Sequence, residues 1–267
     1  MLRSVGRRDR RVDFLIAGTQ KGGTTALDHY LRRNPSVQMP QTRKELHFFD
    51  DEGRLWSDPD YTEYHANFDW ISEPILRGEA TPSYMYWAPT VERIRAYNPD
   101  MKIICVLRHP AFRAHSQWRM ERARGRETLQ FSAAIREGRA RIAPNPKLPG
   151  IHDYVERGFY HPQVSRLLEN FRREQTLFVT SDFLKQYPLS ALNKIAQFIG
   201  AEPFSNVTSK YIAPIDNQMP NDLAAADAAY LADLFRDDMV QTMELTGLDL
   251  TAWLDPDYTE CEIGPAS

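Results

Sequence analysis

A chain of 267 residues, 42% hydrophobic and 26% charged, is long enough to bury the core of one large α/β domain. Its formal net charge of −3 lacks the basic excess by which a protein tracks nucleic acid or heparin. Two cysteines, Cys105 and Cys261, exclude a disulfide framework, and Cys105, inside the apolar run Ile103-Ile-Cys-Val-Leu107, reads as a buried thiol of a reducing compartment.

Residues 1–11 carry arginines at positions 3, 7, 8, 10 and 11 and read as a flexible, solvated basic tail. No apolar core of signal-peptide length follows, and no stretch approaches the roughly 18 apolar residues that span a bilayer. A cytoplasmic chain without stable membrane insertion is expected. Residues 12–17 predict a buried strand, 24–33 a helix stopped by Asn34-Pro35, and 36–39 a short strand. Asp58-Pro59 reads as the cap and first position of a helix. Strand 75–79, helix 90–97, inner strand 102–107 and helices 110–124 and 127–137 follow. An exposed loop, 143–150, contains three prolines. An amphipathic segment 160–172, a strand 176–180 and a helix 189–199 closed by Gly200 complete the readable part. Strands separated by helices predict a single α/β domain over 12–255, a central parallel sheet flanked by helices, with a C-terminal tail over 256–267.

The junction of the first strand and helix, Phe14-Leu-Ile-Ala-Gly-Thr-Gln-Lys-Gly-Gly-Thr-Thr-Ala-Leu27, has the makings of a phosphate cradle. Gly22 and Gly23 let the backbone approach an anion, the N–H groups opening the helix point at it, and Lys21 adds a charge. It is not a Walker A loop. Counting from Gly18 and Gly23 puts Thr24 where that motif has its lysine, so Lys21 comes too early.

Three other groups bear on chemistry. Arg108 sits at the carboxyl end of the inner strand, the ligand edge of such a sheet, with Ser116 eight residues on; the alternative is a surface arginine paired with a carboxylate. In Lys44-Glu-Leu-His-Phe-Phe-Asp50, alternation places Glu45, His47 and Phe49 on one side and Leu46 and Phe48 on the other. That arrangement suits a base, Glu45 or His47; alternatively Glu45 forms a salt bridge to Arg43 or Lys44 and His47 is exposed. Tyr160, after Gly158-Phe159, either lines a nucleotide site or packs in the core, and Tyr84, Tyr86 and Trp87 either pack or stack on an acceptor. No His/Cys cluster has metal-ligand spacing.

Lys21-Gly-Gly-Thr-Thr25, the 44–50 motif, Glu79-Ala-Thr-Pro-Ser-Tyr84 and Leu107-Arg-His-Pro110 with Ser116 occur in this order. Together they resemble the sulfotransferases that use 3′-phosphoadenosine 5′-phosphosulfate (PAPS), of the heparan-sulfate and Golgi type and its bacterial relatives, from about residue 12 to residue 200. The resemblance implies a P-loop-like sulfotransferase fold. It implies that Lys21, Gly22, Gly23, Thr24 and Thr25 hold the 5′-phosphosulfate and that Arg108 and Ser116 hold the 3′-phosphate, with Tyr160 near the nucleotide. Glu45 then takes the acceptor proton with His47 in support, Lys21 stabilises the leaving 3′-phosphoadenosine 5′-phosphate (PAP), and no metal is needed. Golgi members carry a membrane anchor, so a soluble bacterial relative is expected. The acceptor is expected to be a hydroxyl, less readily an amine, of a small molecule, glycoside or lipid, without nucleic acid as partner; oligomeric state stays open.

Two departures remove positive charge near the acceptor: Ala80 stands where heparan enzymes have lysine, and Thr25 where the 3-O type has arginine. The basic glycine-rich cover of the nucleotide is also lacking, since Lys210 is the one cation between Ser205 and Asn221. A small-molecule kinase using ATP and magnesium, or a non-catalytic nucleotide-binding module, are the competing readings.

Overall fold

The apolar run after the basic tail forms β1 (Phe14–Gly18), buried along its whole length. The computed structural model describes residues 10–71, 75–141, 150–207 and 223–260. α1 (Thr24–Leu31), the two-residue β2 (Val37–Gln38), α2 (Thr62–His65) and β3 (Leu76–Ala80) follow. Next come α3 (Ala88–Tyr97), β4 (Lys102–Leu107), α4 (Pro110–Ala123), α5 (Phe131–Arg136) and α6 (His161–Asn170). β5 (Thr176–Thr180), α7 (Ser181–Gln186), α8 (Pro188–Ile199) and α9 (Ala225–Thr246) end the series.

The five strands pair in parallel in the order β2-β3-β1-β4-β5. Period-two alternation divides the strand residues between two cores. Phe14, Ile16, Ile104 and Val106 face Leu27 and Leu31 of α1 and Leu192 and Ile195 of α8. Leu15, Ala17, Ile103, Cys105 and Leu107 face α3, α4, α6 and α9 through Ile94, Ala114, Val164 and Phe235. Burying one such leucine or phenylalanine contributes roughly 1.5–3 kcal/mol. Both faces are therefore covered, as expected of a parallel sheet, and α8 ends at Gly200 as anticipated.

Several expected elements differ. Pro59 does not start a helix; α2 begins at Thr62, whose N–H donates to Asp60 Oδ1 at 2.8 Å. The helix expected over 127–137 starts only at Phe131. The cause is Glu127, whose buried carboxylate accepts the N–H groups of Thr128 and Leu129, both at 2.7 Å, and so competes with helical bonding. Glu127 also takes Arg141 Nη2 at 2.7 Å and the Tyr154 hydroxyl at 2.9 Å. α7 and the 22-residue α9 were not anticipated. α9 buries Asp227, Asp238, Thr242 and Thr246 beside Leu231 and Phe235, and these polar residues break its apolar stripe. Residues 1–9, 72–74, 142–149, 208–222 and 261–267 lie outside the described residues, and with them most of the basic tail, most of the expected loop, Lys210 and Cys261. No helix among the described residues is long and apolar enough to cross a membrane.

Candidate active site

Parallel pairing brings the carboxyl ends of β3, β1 and β4 to one edge of the sheet, and the turn after β1 lies between the segments that leave its two neighbours. That turn folds tightly onto β4. Thr19 N donates to Val106 O at 3.0 Å and Gly22 N to Thr19 O at 2.8 Å. A Cβ on Gly22 would lie 2.3 Å from Val106 O, so no other residue fits there. Gly23, at φ 109°, occupies the N-cap of α1 without a side-chain cap, and the helix has no acidic residue in its first turn. Its opening N–H groups and the positive end of its dipole are thus left for an anion. Thr24 is buried and Thr25 half-buried beside them.

Lys21, at φ 67°, extends to within 3.9 Å of Met120 Sδ in α4. Burial, and then the charges of Arg108, Arg124 and Arg119, lower its pKa to about 8, with Glu45 opposing. Crowded cations in a partly dry site favour an anion strongly. Arg108 Nη1 donates to Lys21 O at 3.0 Å, tying the end of β4 to the glycine turn after β1. Its other edge makes a two-pronged pair with Glu260, Nε to Oε1 at 2.6 Å and Nη2 to Oε2 at 2.5 Å. Tyr160 is fully buried, and its hydroxyl donates to Arg108 O at 2.6 Å. It packs in the core and holds the strand end that presents Arg108. Ser116 is half-buried in α4, and among the described residues no hydrogen bond joins it to Arg108.

The 44–50 segment is irregular rather than a strand. Glu45 and His47 both take left-handed backbone, at φ 62° and 54°, each costing about 1–3 kcal/mol for a non-glycine residue. Glu45 N donates to Ala80 O at 3.1 Å, and the Tyr84 hydroxyl accepts from Phe48 N at 3.0 Å and Phe49 N at 3.4 Å. The two left-handed residues break the expected alternation. Phe49 is buried with Leu46 and Phe48, whereas Glu45 is half-buried and His47 exposed.

His47 Nδ1 lies 2.9 Å from Asp50 Oδ2, an oxygen that also accepts the Ser83 hydroxyl. On the other side of the ring, Nε2 stands 3.7 Å from Glu45 Oε2, and Lys44 Nζ meets Glu45 Oε1 at 2.5 Å. The salt bridge to Lys44 and the contact with His47 thus coexist. Asp50, and then Glu45, hold His47 up at about 9 against burial. Burial pushes Glu45 up, but His47 and Lys44 outweigh it and bring the carboxyl down to about 2. At neutral pH the pair is a carboxylate beside an imidazolium, with Asp50 fixing the ring. Beneath them Glu79 is fully buried, and desolvation raises its pKa to about 8 with Asp50's charge adding to the effect.

Sequence reasoning assigned no role to Asp50, Ser83 or Glu260. A carboxylate three residues after His47 was the available signal for the first; the others come from remote segments. Of the aromatic residues, Tyr84 is buried, Tyr86 lies under the Arg157 guanidinium at 4.4 Å, and Trp87 Nε1 donates to Glu52 Oε1 at 2.6 Å.

The family described as the sulfotransferase domain matches residues 11–219. The chain is 30% identical over 217 residues to the bifunctional heparan sulfate N-deacetylase/N-sulfotransferase 2 of Bos taurus, a match covering 75% of this chain and 23% of that protein. It is 31% identical over 199 residues to the heparan sulfate glucosamine 3-O-sulfotransferase 6 of Homo sapiens, covering 73% of this chain and 54% of that one. The chain thus spans from about a quarter to about half the length of these curated relatives. Among solved structures, a sulfotransferase from Alicyclobacillus acidocaldarius superposes with a TM-score of 0.76 at 29% identity, over 91% of this chain and 99% of that one.

Proposed function

The chain belongs to the sulfotransferase domain family, and from that premise we propose that it moves a sulfuryl group from PAPS to a hydroxyl, in preference to an amine, of a small molecule, glycoside or lipid. The observation that carries this reading is the meeting, at one sheet edge, of an uncapped helix N-terminus and crowded cations with a carboxylate–imidazolium pair. A turn closed against Val106 so tightly that Gly22 has no room for a side chain fits a backbone-held diphosphate-like group.

In this reading Gly22, Gly23, Thr24 and Thr25 hold the 5′-phosphosulfate, and Arg108 with Ser116 recognises the 3′-phosphate. The acceptor oxygen attacks sulfur in line, and its proton passes to Glu45. As the new O–S bond forms, the bond from sulfur to the bridging oxygen breaks and its electron pair stays on the phosphate, where Lys21 balances the developing charge. Glu45 is favoured over His47 as base because His47, bound to Asp50 and held near pKa 9, already carries its proton at neutral pH. Glu45 is a weak base while Lys44 and His47 neutralise it; an acceptor hydroxyl that displaces Lys44 from Oε1 strengthens it. Ala80 and Thr25 add no cation on the acceptor side, which argues against a densely sulfated polymer as acceptor.

Calorimetry without added metal tests the donor. PAP is expected to bind markedly more tightly than ADP. Equal affinities, or binding of ADP that appears only with magnesium, would support the kinase reading instead.

A further inference from the structure

After α9 the chain returns to the phosphate edge and is fastened there by contacts that the proposed reaction does not use. Trp253 is buried, its carbonyl accepts from His109 Nε2 at 3.1 Å, and its Nε1 donates to Asp182 Oδ2 at 3.3 Å. Tyr258 stacks on the His109 ring at 4.7 Å with an interplanar angle of 8°, meets Phe112 edge-on, and donates its hydroxyl to Asp182 Oδ2 at 2.7 Å. Asp182 lies in the first turn of α7 and His109 follows β4. Residues 253–260 therefore bridge the carboxyl ends of β4 and β5 and bring Glu260 onto Arg108, with Lys185 Nζ 3.5 Å from its Oε1.

The geometry of that pair matters more than its charge. A guanidinium presents two edges that can each grip a carboxylate or a phosphate. Arg108 spends one nitrogen on Lys21 O and the Nε–Nη2 edge on both oxygens of Glu260. A phosphate gripped by that edge requires the carboxylate to leave. Burial pushes the Glu260 carboxyl up, but Arg108 and Lys185 hold it below the usual range, so it stays ionised. The side chains of the pair retain 17% and 14% of their exposure, so water can take over a released carboxylate.

We infer that Glu260 is an intramolecular competitor for the 3′-phosphate, seated on Arg108 by the 253–260 segment, and that it selectively sets the affinity for 3′-phosphorylated nucleotides. This rests on the reading of Arg108 as the 3′-phosphate site. An apparent dissociation constant equals the intrinsic one divided by the fraction of open sites. A segment seated nine-tenths of the time thus weakens binding about tenfold, whereas a nucleotide without a 3′-phosphate does not contest Arg108.

The test is calorimetric titration of the full chain with PAP and with ADP. Glu260→Gln removes the competing charge, and Tyr258→Ala unseats the segment without touching Arg108; melting curves confirm that both fold. Both variants should bind PAP about tenfold more tightly if the site is nine-tenths closed, with ADP affinity little changed. Arg108→Ala should weaken PAP, and Glu260→Gln should have no effect in that background. If Arg108→Ala weakens PAP but Glu260→Gln leaves it unchanged or weakens it, Glu260 is no competitor and the 3′-phosphate reading stands. If Arg108→Ala leaves PAP affinity intact, the reading of the site itself fails.

Discussion

The glycine turn after β1 and the 44–50 segment, to which we assign the phosphosulfate and the base, both contain non-glycine residues in left-handed backbone, Lys21 in one and Glu45 and His47 in the other. They are held in opposite ways. Backbone hydrogen bonds and the absence of a side chain at Gly22 fix the turn against Val106. Side chains of the segment after β3, Ser83 and Tyr84, fix the other, together with Asp50 at its end. A site fixed by backbone tolerates almost no added atom, whereas one fixed by side chains loses function in steps.

The largest effect is expected in the second region. Glu45→Gln keeps shape and some hydrogen bonding but cannot accept a proton, so single-turnover transfer should fall by roughly 10²–10⁴ with PAP affinity little changed. His47→Ala should retain more activity. Near-parental turnover in Glu45→Gln with collapse in His47→Ala would transfer the role to the imidazole.

Gly22→Ala comes next and probes the backbone-held region. Its Cβ has no room at 2.3 Å from Val106 O, so the turn must move, at about 1–3 kcal/mol of stability, and PAP binding should be lost with it. A variant of parental melting temperature and affinity would mean that the turn is soft.

The pH dependence sharpens the same region. Lys21 titrates near 8 in the free protein because burial and neighbouring arginines disfavour its charge. A bound anion restores the proton, so above pH 8 PAP binding should take up a proton and weaken by up to about tenfold per unit. Calorimetry in buffers of different ionisation heat measures that uptake. A dissociation constant flat from pH 7 to 10 would remove Lys21 from the anion site.

Ser83→Ala should have the smallest effect. It leaves Asp50 bound to His47 and removes one hydrogen bond, costing about 0.5–1.5 kcal/mol and slowing turnover modestly without changing PAP affinity. A loss as large as that of Glu45→Gln would show that the segment is less graded than its contacts imply.

The same contrast explains what could be read from the chain. β1, the glycine turn and α1 are adjacent in sequence, and their chemistry is written locally in Lys21, Gly22 and Gly23. Strands β4 and β5 were legible as apolar runs with the bounds they have in the fold. The 44–50 segment was legible in residue types but not in shape, because Glu45 and His47 leave the strand conformation in a segment whose backbone is tied to remote groups, Glu45 N to Ala80 O and Phe48 N to the Tyr84 hydroxyl. Glu260 could not be foreseen, since its position on Arg108 depends on α9 and on Tyr258 stacking over His109. α9 itself was hidden by the acids and threonines that it buries.

Sulfuryl transfer by the parent chain is the most direct test. The parent chain, incubated with PAPS and a panel of neutral hydroxyl-bearing glycosides, lipids and small molecules beside partly desulfated heparan, is read by mass spectrometry. The prediction is a gain of one sulfuryl group on a neutral acceptor, inefficient modification of heparan, and product formed far more slowly with Glu45→Gln. Efficient heparan turnover that salt steeply weakens would overturn the acceptor assignment. Phosphorylation of an acceptor with ATP and magnesium, and no sulfated product from PAPS, would contradict the account as a whole.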